Sequence, residues 1–469
     1  MLFISGLEDN QAVEKIVADL TIKFSETRAS HTTPRRIFQE THQKVIRNEE
    51  VEPVGDLSLL YDRLFLGDTI LLFDGENRGI ICNTKQWEVR SVEEPESERV
   101  IRGPRDGFVE ALPVNTSLIR RRIRSPNLWI ENMEIGTVTK TQVAFAYMKG
   151  LTQEGLIQEV RSRLQDINID SVVESGVIGE LIDDTYLTPF PLMHRTERTD
   201  IAMSELLEGR IVIFTDGSPF VLLVPTRLYD MMQGPDDYYE KFPIGSFIRL
   251  GRMLSFVISI FLPGIYVAVL NFHAELIPST LLLSITSARQ GVPFPAVLEV
   301  FIMELIFEML REAGLRLPGM IGPAISIVGA LILGEAAIMA GIVSPSVVII
   351  VAATAIASFV TPAFDLSVAT RIIRFGIIFL GATLGLIGIQ FGFTLLTLHL
   401  CSLRSFGYPY FAPFGPMIVE DWKDTFIRLP WWAQKKRPHL EGGRDPERLK
   451  RKGAQKPPSG LEDREKEGE

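Results

Sequence analysis

The segment from Ala296 to Gly314 carries four carboxylates among residues that otherwise suit a lipid bilayer. It reads AVLEVFIMELIFEMLREAG, and its acidic residues are Glu299, Glu304, Glu308 and Glu312. Residues four apart share one face of a helix, so the last three form a stripe and Glu299 lies off it. A carboxylate facing lipid costs about 2.5 to 3.5 kcal/mol on insertion scales. The stripe therefore predicts a helix whose acidic face meets water or other protein.

Two interpretations of this stripe remain open. In the first, the helix lies at the membrane interface with its carboxylates in water, and apolar residues such as Phe301 and Leu305 face lipid or protein. In the second, the helix stands in an oligomer around a water-filled path, so that each glutamate becomes a ring of carboxylates that enriches cations. Glu335, alone inside LILGEAAIMAG, is a further candidate because intramembrane carboxylates are often functional. The candidate ion path thus comprises Glu304, Glu308, Glu312 and Glu335.

Apolar stretches in the second half of the chain must position these carboxylates. Residues 253–272 carry no charge and are long enough to cross a hydrocarbon layer of roughly 30 Å. Three further stretches follow, 317–342, 343–364 and 375–400. We expect four to six membrane spans, since residues 275–285 and 297–310 either cross or lie at the interface. Four glycines at helical spacing in the last stretch indicate close helix packing: Gly381, Gly385, Gly388 and Gly392. Pro318 and Pro323 indicate a bend or break in the stretch 317–342.

Composition excludes several classes of function. The 469 residues have a net charge of -10, which disfavours a nucleic-acid partner. Cys82 and Cys401 fall on opposite sides of the expected membrane boundary, which argues against a disulfide and against a cysteine metal site. No phosphate loop, zinc-protease motif or nucleophile elbow is present, so we expect neither an enzyme nor a cofactor. The first half lacks an export signal and Arg249 and Arg252 precede the first span, so the N-terminal region is expected to be cytosolic.

The first half also contains an internal repeat. Residues 3–20 align without gaps with residues 147–164, and residues 64–84 align with residues 206–226. In the second match an Asp-Gly pair lies between two β-branched runs in both copies, which predicts a hairpin. Each copy is therefore expected to be a small α/β unit. The second copy has a full strand before its helix, so we expect that a short N-terminal strand is missing from the first.

The linker between the two copies is distinctive. It contains GPRDGF, with Pro104, Arg105, Asp106, Gly107 and Phe108, and then a basic run with Arg120, Arg121, Arg122 and Arg124. This arginine cluster is typical of an anion or lipid-headgroup contact, of a clasp between subunits, or of a solvated helix face.

These motifs, in this order, resemble the A subunits of GerA-type spore germination receptors. The resemblance rests on GPRDGF followed by NTSLIRRRI, and on VVESGVIGELIDD, PFPLMHRTERTD, LLEGRIVIFTDGSPFVLLVP, DDYYEKF and YPYFAPFGPMIVEDWKDTFIRLPWW. It extends to about residue 438.

The resemblance implies a protein of the spore inner membrane with its N-terminal domain on the core side. Its implied partners are a transporter-like B subunit, a lipoprotein C subunit, further copies of itself, membrane lipids and monovalent cations. Its implied function is a nutrient-sensing, ligand-gated cation channel that starts germination, with the PRDGF segment as a candidate assembly or signalling motif. A secondary transporter is an alternative, because Gly and Pro interrupt several spans. A non-conducting signalling scaffold is another.

The expected fold class is an α/β soluble N-terminal region of two similar subdomains, then an α-helical polytopic membrane domain and a disordered C-terminal tail. The tail lacks the apolar residues needed for a core. The expected segments are a first copy at 1–95, a linker at 96–136, a second copy at 137–245, the membrane domain at 246–404, a post-membrane segment at 405–438 and the tail at 439–469.

Overall fold

The computed structural model divides the chain into two compact units. The first comprises residues 1–183, 195–225 and 435–453, and the second comprises residues 184–194, 226–434 and 454–469. The structure describes residues 1–4, 8–26, 37–39, 41, 51–84, 95, 98, 100, 102–316, 332, 334–434, 436, 437 and 447. Most of the expected span at 317–342, with Pro318 and Pro323, and nearly all of the tail lie outside the described residues.

The first unit begins with a small α/β layer. Helix α1 (Asn10–Glu26) precedes β1 (Val51–Val54), α2 (Leu57–Leu64), β2 (Thr69–Leu71) and β3 (Gly79–Cys82). The three strands form an antiparallel sheet in the order β1-β3-β2, and Leu2 makes a one-residue bridge to Ile70 of β2. A core that includes Ile16, Leu71 and Ile80 joins α1 to this sheet.

A larger sheet follows in the same unit. Its helices are α3 (Leu112–Arg122), α4 (Glu154–Gln165), α5 (Ser175–Ile182) and α6 (Thr199–Glu208), and its strands are β4 (Leu128–Ile135), β5 (Thr141–Met148), β6 (His194–Thr196), β7 (Ile211–Thr215) and β8 (Val221–Val224). The strand order is β4-β5-β7-β8-β6. All residues of β7 and β8 are buried, which explains their continuous apolar sequences.

Segments that align in the sequence have matching backbone features in the two sheets. Gly67 and Gly209 are both left-handed, with φ of 93° and 98°. Gly75 and Gly217, at the two Asp-Gly turns, have φ of 81° and 82°. The bridge from Leu2 to Ile70 has its counterpart in the pairing of Ala146 with Val212. The residues Gly6 and Leu7 of the first alignment lie outside the described part of the chain.

The second unit is mainly helical. It contains α7 (Asp236–Tyr239), α8 (Phe242–Phe272), α9 (Ser279–Arg289), α10 (Ala296–Arg316), α11 (Pro345–Phe359) and α12 (Phe364–Ser402), and then the short strands β9 (Arg404–Ser405) and β10 (Tyr408–Pro409). Among the described residues, α8 and α12 are long and apolar enough to cross a membrane. A membrane location agrees with this composition.

Helix α12 is folded back on itself at Gly385. This residue has φ 62° and ψ -144°, which are not helical. A Cβ on Gly392 would lie 2.6 Å from Cδ1 of Ile377, although fifteen residues of straight helix span about 22 Å. Leu366 and Leu400 likewise share one core. The single span expected at 375–400 is therefore two antiparallel arms that begin at Phe364.

The glycine stripe permits this close approach. A Cβ on Gly388 would lie 2.1 Å from the carbonyl oxygen of Leu380, and a Cβ on Gly381 would lie 2.6 Å from the carbonyl oxygen of Gly264 in α8. These distances exclude any side chain larger than hydrogen without a shift of the backbone. The glycines thus pack the two arms of α12 against each other and against α8, as small residues do between membrane helices.

Two other expected spans also differ from the structure. Helix α11 has 15 residues, about 22 Å, whereas residues 343–364 were expected to cross. It begins at Pro345 and ends just before Thr361 and Pro362, because proline suits a helix start and disfavours a helical residue before it. Helix α9 has 11 residues and buries none of them. That length is too short to cross a bilayer.

The start of α8 carries buried charges. Asp237 is fully buried and accepts from Nε of Arg249 at 3.1 Å and from Nη1 of Arg252 at 2.8 Å. These two arginines belong to α8 itself and are neutralised inside the protein, since a buried charge needs a partner. A structural division between the units falls at Pro225, so that residues 226–245 and 405–434 belong with the long helices of the second unit.

We predict that Gly385→Ala destabilises the second unit, by about 1 to 3 kcal/mol, because its φ and ψ are essentially restricted to glycine. Gly376→Ala in the same helix is the matched control, since a Cβ there meets nothing within 4 Å. Unfolding by detergent titration measures both. Equal stabilities of the two variants would contradict the folded-back geometry.

Candidate functional site

The acidic stripe of α10 lies against arginines of α12. Oε2 of Glu304 accepts a hydrogen bond from Nη1 of Arg374 at 2.6 Å, and both side chains are 1% exposed. Burial of this degree removes both charges from water, so each depends on the other for stabilisation. In this conformation the Glu304 side chain is therefore exposed neither to water at a membrane interface nor to a water-filled path.

Arg374 also contacts a third helix. Its Nε donates to the carbonyl oxygen of Ser259 in α8 at 2.6 Å. That carbonyl lacks its ordinary helical partner, because the residue four positions later is Pro263, which has no N–H. One guanidinium thus satisfies a carboxylate of α10 and a proline-freed carbonyl of α8 together.

A second ion pair lies one turn further along α10. Oε2 of Glu308 accepts from Nη1 of Arg371 at 2.8 Å, and the two side chains are 19% and 16% exposed. Arg371 and Arg374 are three apart and Glu304 and Glu308 are four apart, so both pairs sit on facing stripes. We call Glu304, Glu308, Arg371 and Arg374, together with Arg311, the charge ladder.

Arg311 completes this ladder, and it has no hydrogen bond to a carboxylate of the described residues. Its Nη2 donates to Oγ of Ser358 in α11 at 2.6 Å, and its guanidinium carbon lies 5.0 Å and 4.4 Å from the ring centres of Phe307 and Phe359. The sequence spacing permitted a pair between Glu308 and Arg311, but Glu308 binds Arg371 of another helix instead. Cation–π contacts stabilise a guanidinium that has been removed from water.

The remaining glutamates differ in their surroundings. Glu299 is fully buried, where it accepts from Arg289 at 3.0 Å and from the backbone N–H of Ser344 at 2.8 Å. Glu312 is 61% exposed and pairs with Arg316, four residues later in the same helix. Glu335 is exposed. Of the four candidate path residues, the structure brings together only Glu304 and Glu308.

The sequence analysis missed the two arginines. The last span was expected to start at Phe375, which left Arg371 and Arg374 just outside it. The sequence did contain evidence for them. Two arginines three residues apart lie beside one apolar run, two glutamates four residues apart lie on another apolar helix, and both spacings place the two charges on one helix face. Intramembrane charges are usually found in such pairs.

The PRDGF segment forms a buried junction in the first unit. Asp106 binds Arg122 through two hydrogen bonds of 3.2 Å and 2.5 Å, and its Oδ2 also accepts from Oγ1 of Thr199 at 3.1 Å. Arg122 comes from the basic end of α3 and Thr199 begins α6. One carboxylate thus connects the linker to both helices.

The neighbouring residues of this motif pack beside Arg198. Nη2 of Arg198 donates to the carbonyl oxygen of Pro104 at 3.0 Å. The backbone of Gly107 pairs with that of Arg198 in an isolated antiparallel β-bridge. Phe108 is buried and stacks edge-on against Phe214 of β7, with ring centres 5.7 Å apart. Arg105 is exposed. The other four motif residues, Pro104, Asp106, Gly107 and Phe108, therefore hold this junction together.

Two carboxyls at this junction have shifted pKa values in opposite directions. Burial raises the pKa of Glu98 to about 7, although hydrogen bonds from Thr196 and the backbone N–H of Glu197 act to lower it. Burial also acts on Asp106, but hydrogen bonds and the charge of Arg122 outweigh it and hold the pKa of Asp106 below its usual value. The junction is thus sensitive to pH through Glu98.

Comparison with known families assigns the chain. Residues 1–440 match the family model of the Bacillus/Clostridium GerA spore germination protein. Because this match covers nearly the whole chain, the chain belongs to the GerA family.

Several relatives are similar over most of their length. The chain is 45% identical over 438 residues to spore germination protein KA of Bacillus subtilis (strain 168), which covers 93% of this chain and 80% of that relative. It is 40% identical to spore germination protein GerLA of Bacillus cereus, and the match covers 93% of this chain and 88% of that relative. It is 44% identical to the uncharacterized membrane protein YfkQ of Bacillus subtilis (strain 168), covering 85% and 78%.

One solved structure is also similar. It is the crystal structure of the N-terminal domain of the A subunit of the Bacillus megaterium spore germinant receptor GerK3. The identity is 33%, the match covers 48% of this chain and 80% of that chain, and the TM-score is 0.36.

We predict that Glu304→Ala lowers the free energy of unfolding of the second unit by about 3 to 5 kcal/mol, because Arg374 is left as a buried uncompensated charge. Glu312→Ala, the matched control on the same helix, is expected to change it by no more than about 0.5 kcal/mol, since its pair is exposed. Detergent titration of the purified chain distinguishes them. Similar losses for both would show that burial of the first pair is unimportant.

We predict that Glu98→Gln removes a pH dependence from the first unit. The pKa of Glu98 is about 7 in the folded protein and near its ordinary value of 4.5 in the unfolded chain. Its burial therefore destabilises the fold progressively from pH 4.5 to 7, by at most about 1.4 kcal/mol per pH unit, and not below 4.5. Hydrogen exchange of β7 and β8 at pH 5 and 7 measures this. An identical pH difference in parent and variant would contradict it.

Proposed function

We propose that this chain is the membrane-embedded A subunit of a nutrient-sensing spore germinant receptor that passes monovalent cations. The observation that carries the proposal is membership of the GerA family over residues 1–440, with named spore germination proteins among the relatives. The apolar helices α8 and α12 support a membrane location. The cell membrane concerned is the spore inner membrane, with the first unit on the cytosolic side.

The proposed working form is an oligomer of the A subunit with a transporter-like B subunit and a lipoprotein C subunit. In this assembly the B and C subunits receive the nutrient, and the membrane helices of the A subunit respond. The charge ladder supports a conducting role for these helices. Isolated glutamate and arginine side chains are expensive inside a bilayer, and such residues commonly mark ion pathways.

The membrane domain is proposed to have four to six spans. The two arms of α12 contain about 31 Å and 25 Å of helix, and α8 is longer than either. These lengths support three crossings, to which α10 adds a fourth. Helix α11 is a further candidate. An even total keeps both ends of the chain on the cytosolic side.

The soluble region is proposed to contain two copies of one α/β unit, expected at 1–95 and 137–245, of which residues 226–245 belong structurally to the second unit. Matching left-handed glycines and matching strand pairings support this duplication. The linker at 96–136 carries the PRDGF junction, which fixes the position of α6 relative to α3. That junction is suited to transmit movement or to stabilise assembly, and both roles require it to be rigid.

The proposal predicts that cations leave spores during nutrient exposure in proportion to the amount of this subunit. Efflux of monovalent cations is measured in spores that carry the parent chain, no chain, or Asp106→Ala, with receptor levels compared by immunoblot. Asp106→Ala is expected to slow efflux at least about ten-fold, because Arg122 and Thr199 lose their shared partner. Efflux that is independent of the chain would contradict the proposal.

A further inference from the structure

We propose that Arg371 and Arg374 are counter-ions that hold Glu304 and Glu308 away from the ion path at rest. The path acquires its acidic lining only when the first arm of α12 separates from α10. This inference rests on the proposed function, since it specifies how cation conduction is prevented without nutrient. It assigns a positioning role to two arginines that the acidic stripe alone did not indicate.

The charge of the ladder is the first argument. It contains the three guanidinium groups of Arg311, Arg371 and Arg374 against the two carboxylates of Glu304 and Glu308. A wall with this balance is positive overall and opposes cations, whereas the acidic stripe alone attracts them. Cation enrichment therefore requires that the carboxylates and the arginines come apart. The resting arrangement is a closed one on electrostatic grounds.

The geometry of the pairs is the second argument. Each carboxylate uses one oxygen for its arginine, at 2.6 Å for Glu304 and 2.8 Å for Glu308. Oε1 of both glutamates is buried and has no hydrogen-bond partner in the part of the chain that the structure describes. Neither pair has the bidentate geometry that makes an arginine–carboxylate contact strongest. Each glutamate thus keeps one carboxylate oxygen that can bind a cation once the two helices separate.

The other contacts of the arginines are the third argument. Nε of Arg374 stays bound to the proline-freed carbonyl of Ser259, and Nε of Arg371 donates to the carbonyl oxygen of Ser367 at 3.3 Å. Each arginine therefore retains an oxygen partner when its carboxylate leaves. An arginine whose only partner was the carboxylate would resist separation more strongly, because separation would leave a buried guanidinium without a hydrogen-bond partner.

Burial along α10 gives the order of opening. The exposed fraction of the side chain is 1% for Glu304, 19% for Glu308 and 61% for Glu312. Water competes most easily for the more exposed pair, so Glu308 and Arg371 separate before Glu304 and Arg374. The more exposed pair is also the better one to alter, since its loss disturbs the protein less.

The test compares spores carrying Glu308→Gln, Arg371→Gln, the exchanged pair Glu308→Arg with Arg371→Glu, and the matched control Glu312→Gln. Cation efflux is measured with and without nutrient at equal receptor levels. Arg371→Gln releases Glu308 and is expected to raise nutrient-independent efflux by about ten-fold, whereas Glu308→Gln also removes part of the acidic lining and is expected to lower nutrient-stimulated efflux. The exchanged pair is expected to restore nutrient dependence, and Glu312→Gln is expected to match the parent.

Three results would overturn this inference. One is unchanged nutrient dependence in both single variants. Another is the absence of a basal leak in Arg371→Gln, which would mean that Arg371 does not hold Glu308 away from the path. The third is recovery of receptor level in the exchanged pair without recovery of nutrient control, which would make the pair purely structural. A failure of the proposed function itself is distinct, since efflux would then be independent of the parent chain as well.

Discussion

A buried charge requires a partner, and this constraint organises the second unit. Arg374 is 1% exposed and binds both the carboxylate of Glu304 and the carbonyl oxygen of Ser259. The carboxylate is available because it lies on the inner face of α10, and the carbonyl is available because Pro263 has no N–H to donate. Three helices therefore meet at one guanidinium, and their relative positions depend on it.

The fold of α12 makes that meeting point compact. Gly385 turns the chain back, and the glycines on either side let the second arm lie against the first at distances that no larger residue permits. The first arm, which carries Arg371 and Arg374, consequently packs against both its own second arm and α8. A cluster with Ile260, Ile377 and Ile389 fills the space between them. Backbone geometry and electrostatics thus stabilise the same contact from two sides.

Local features of the structure were predictable from the sequence, and pairings between distant segments were not. The Asp-Gly turns and the left-handed glycines follow from short-range backbone rules, so the repeat and its hairpins could be anticipated. The acidic stripe of α10 also follows from helical spacing. The partners of Glu304 and Glu308 are 70 and 63 residues away, and no periodicity within one helix identifies them. Gly385 was expected to pack a helix, because glycine serves equally in packing and in reversal of the chain.

The most direct test of the account is a structure of the assembled receptor without nutrient, at a resolution that shows side chains in the membrane. The account predicts that Glu304 contacts Arg374 and that Glu308 contacts Arg371, with neither carboxylate facing a water-filled path. Glutamates directed toward such a path in the resting assembly, with both arginines bound elsewhere, would contradict it.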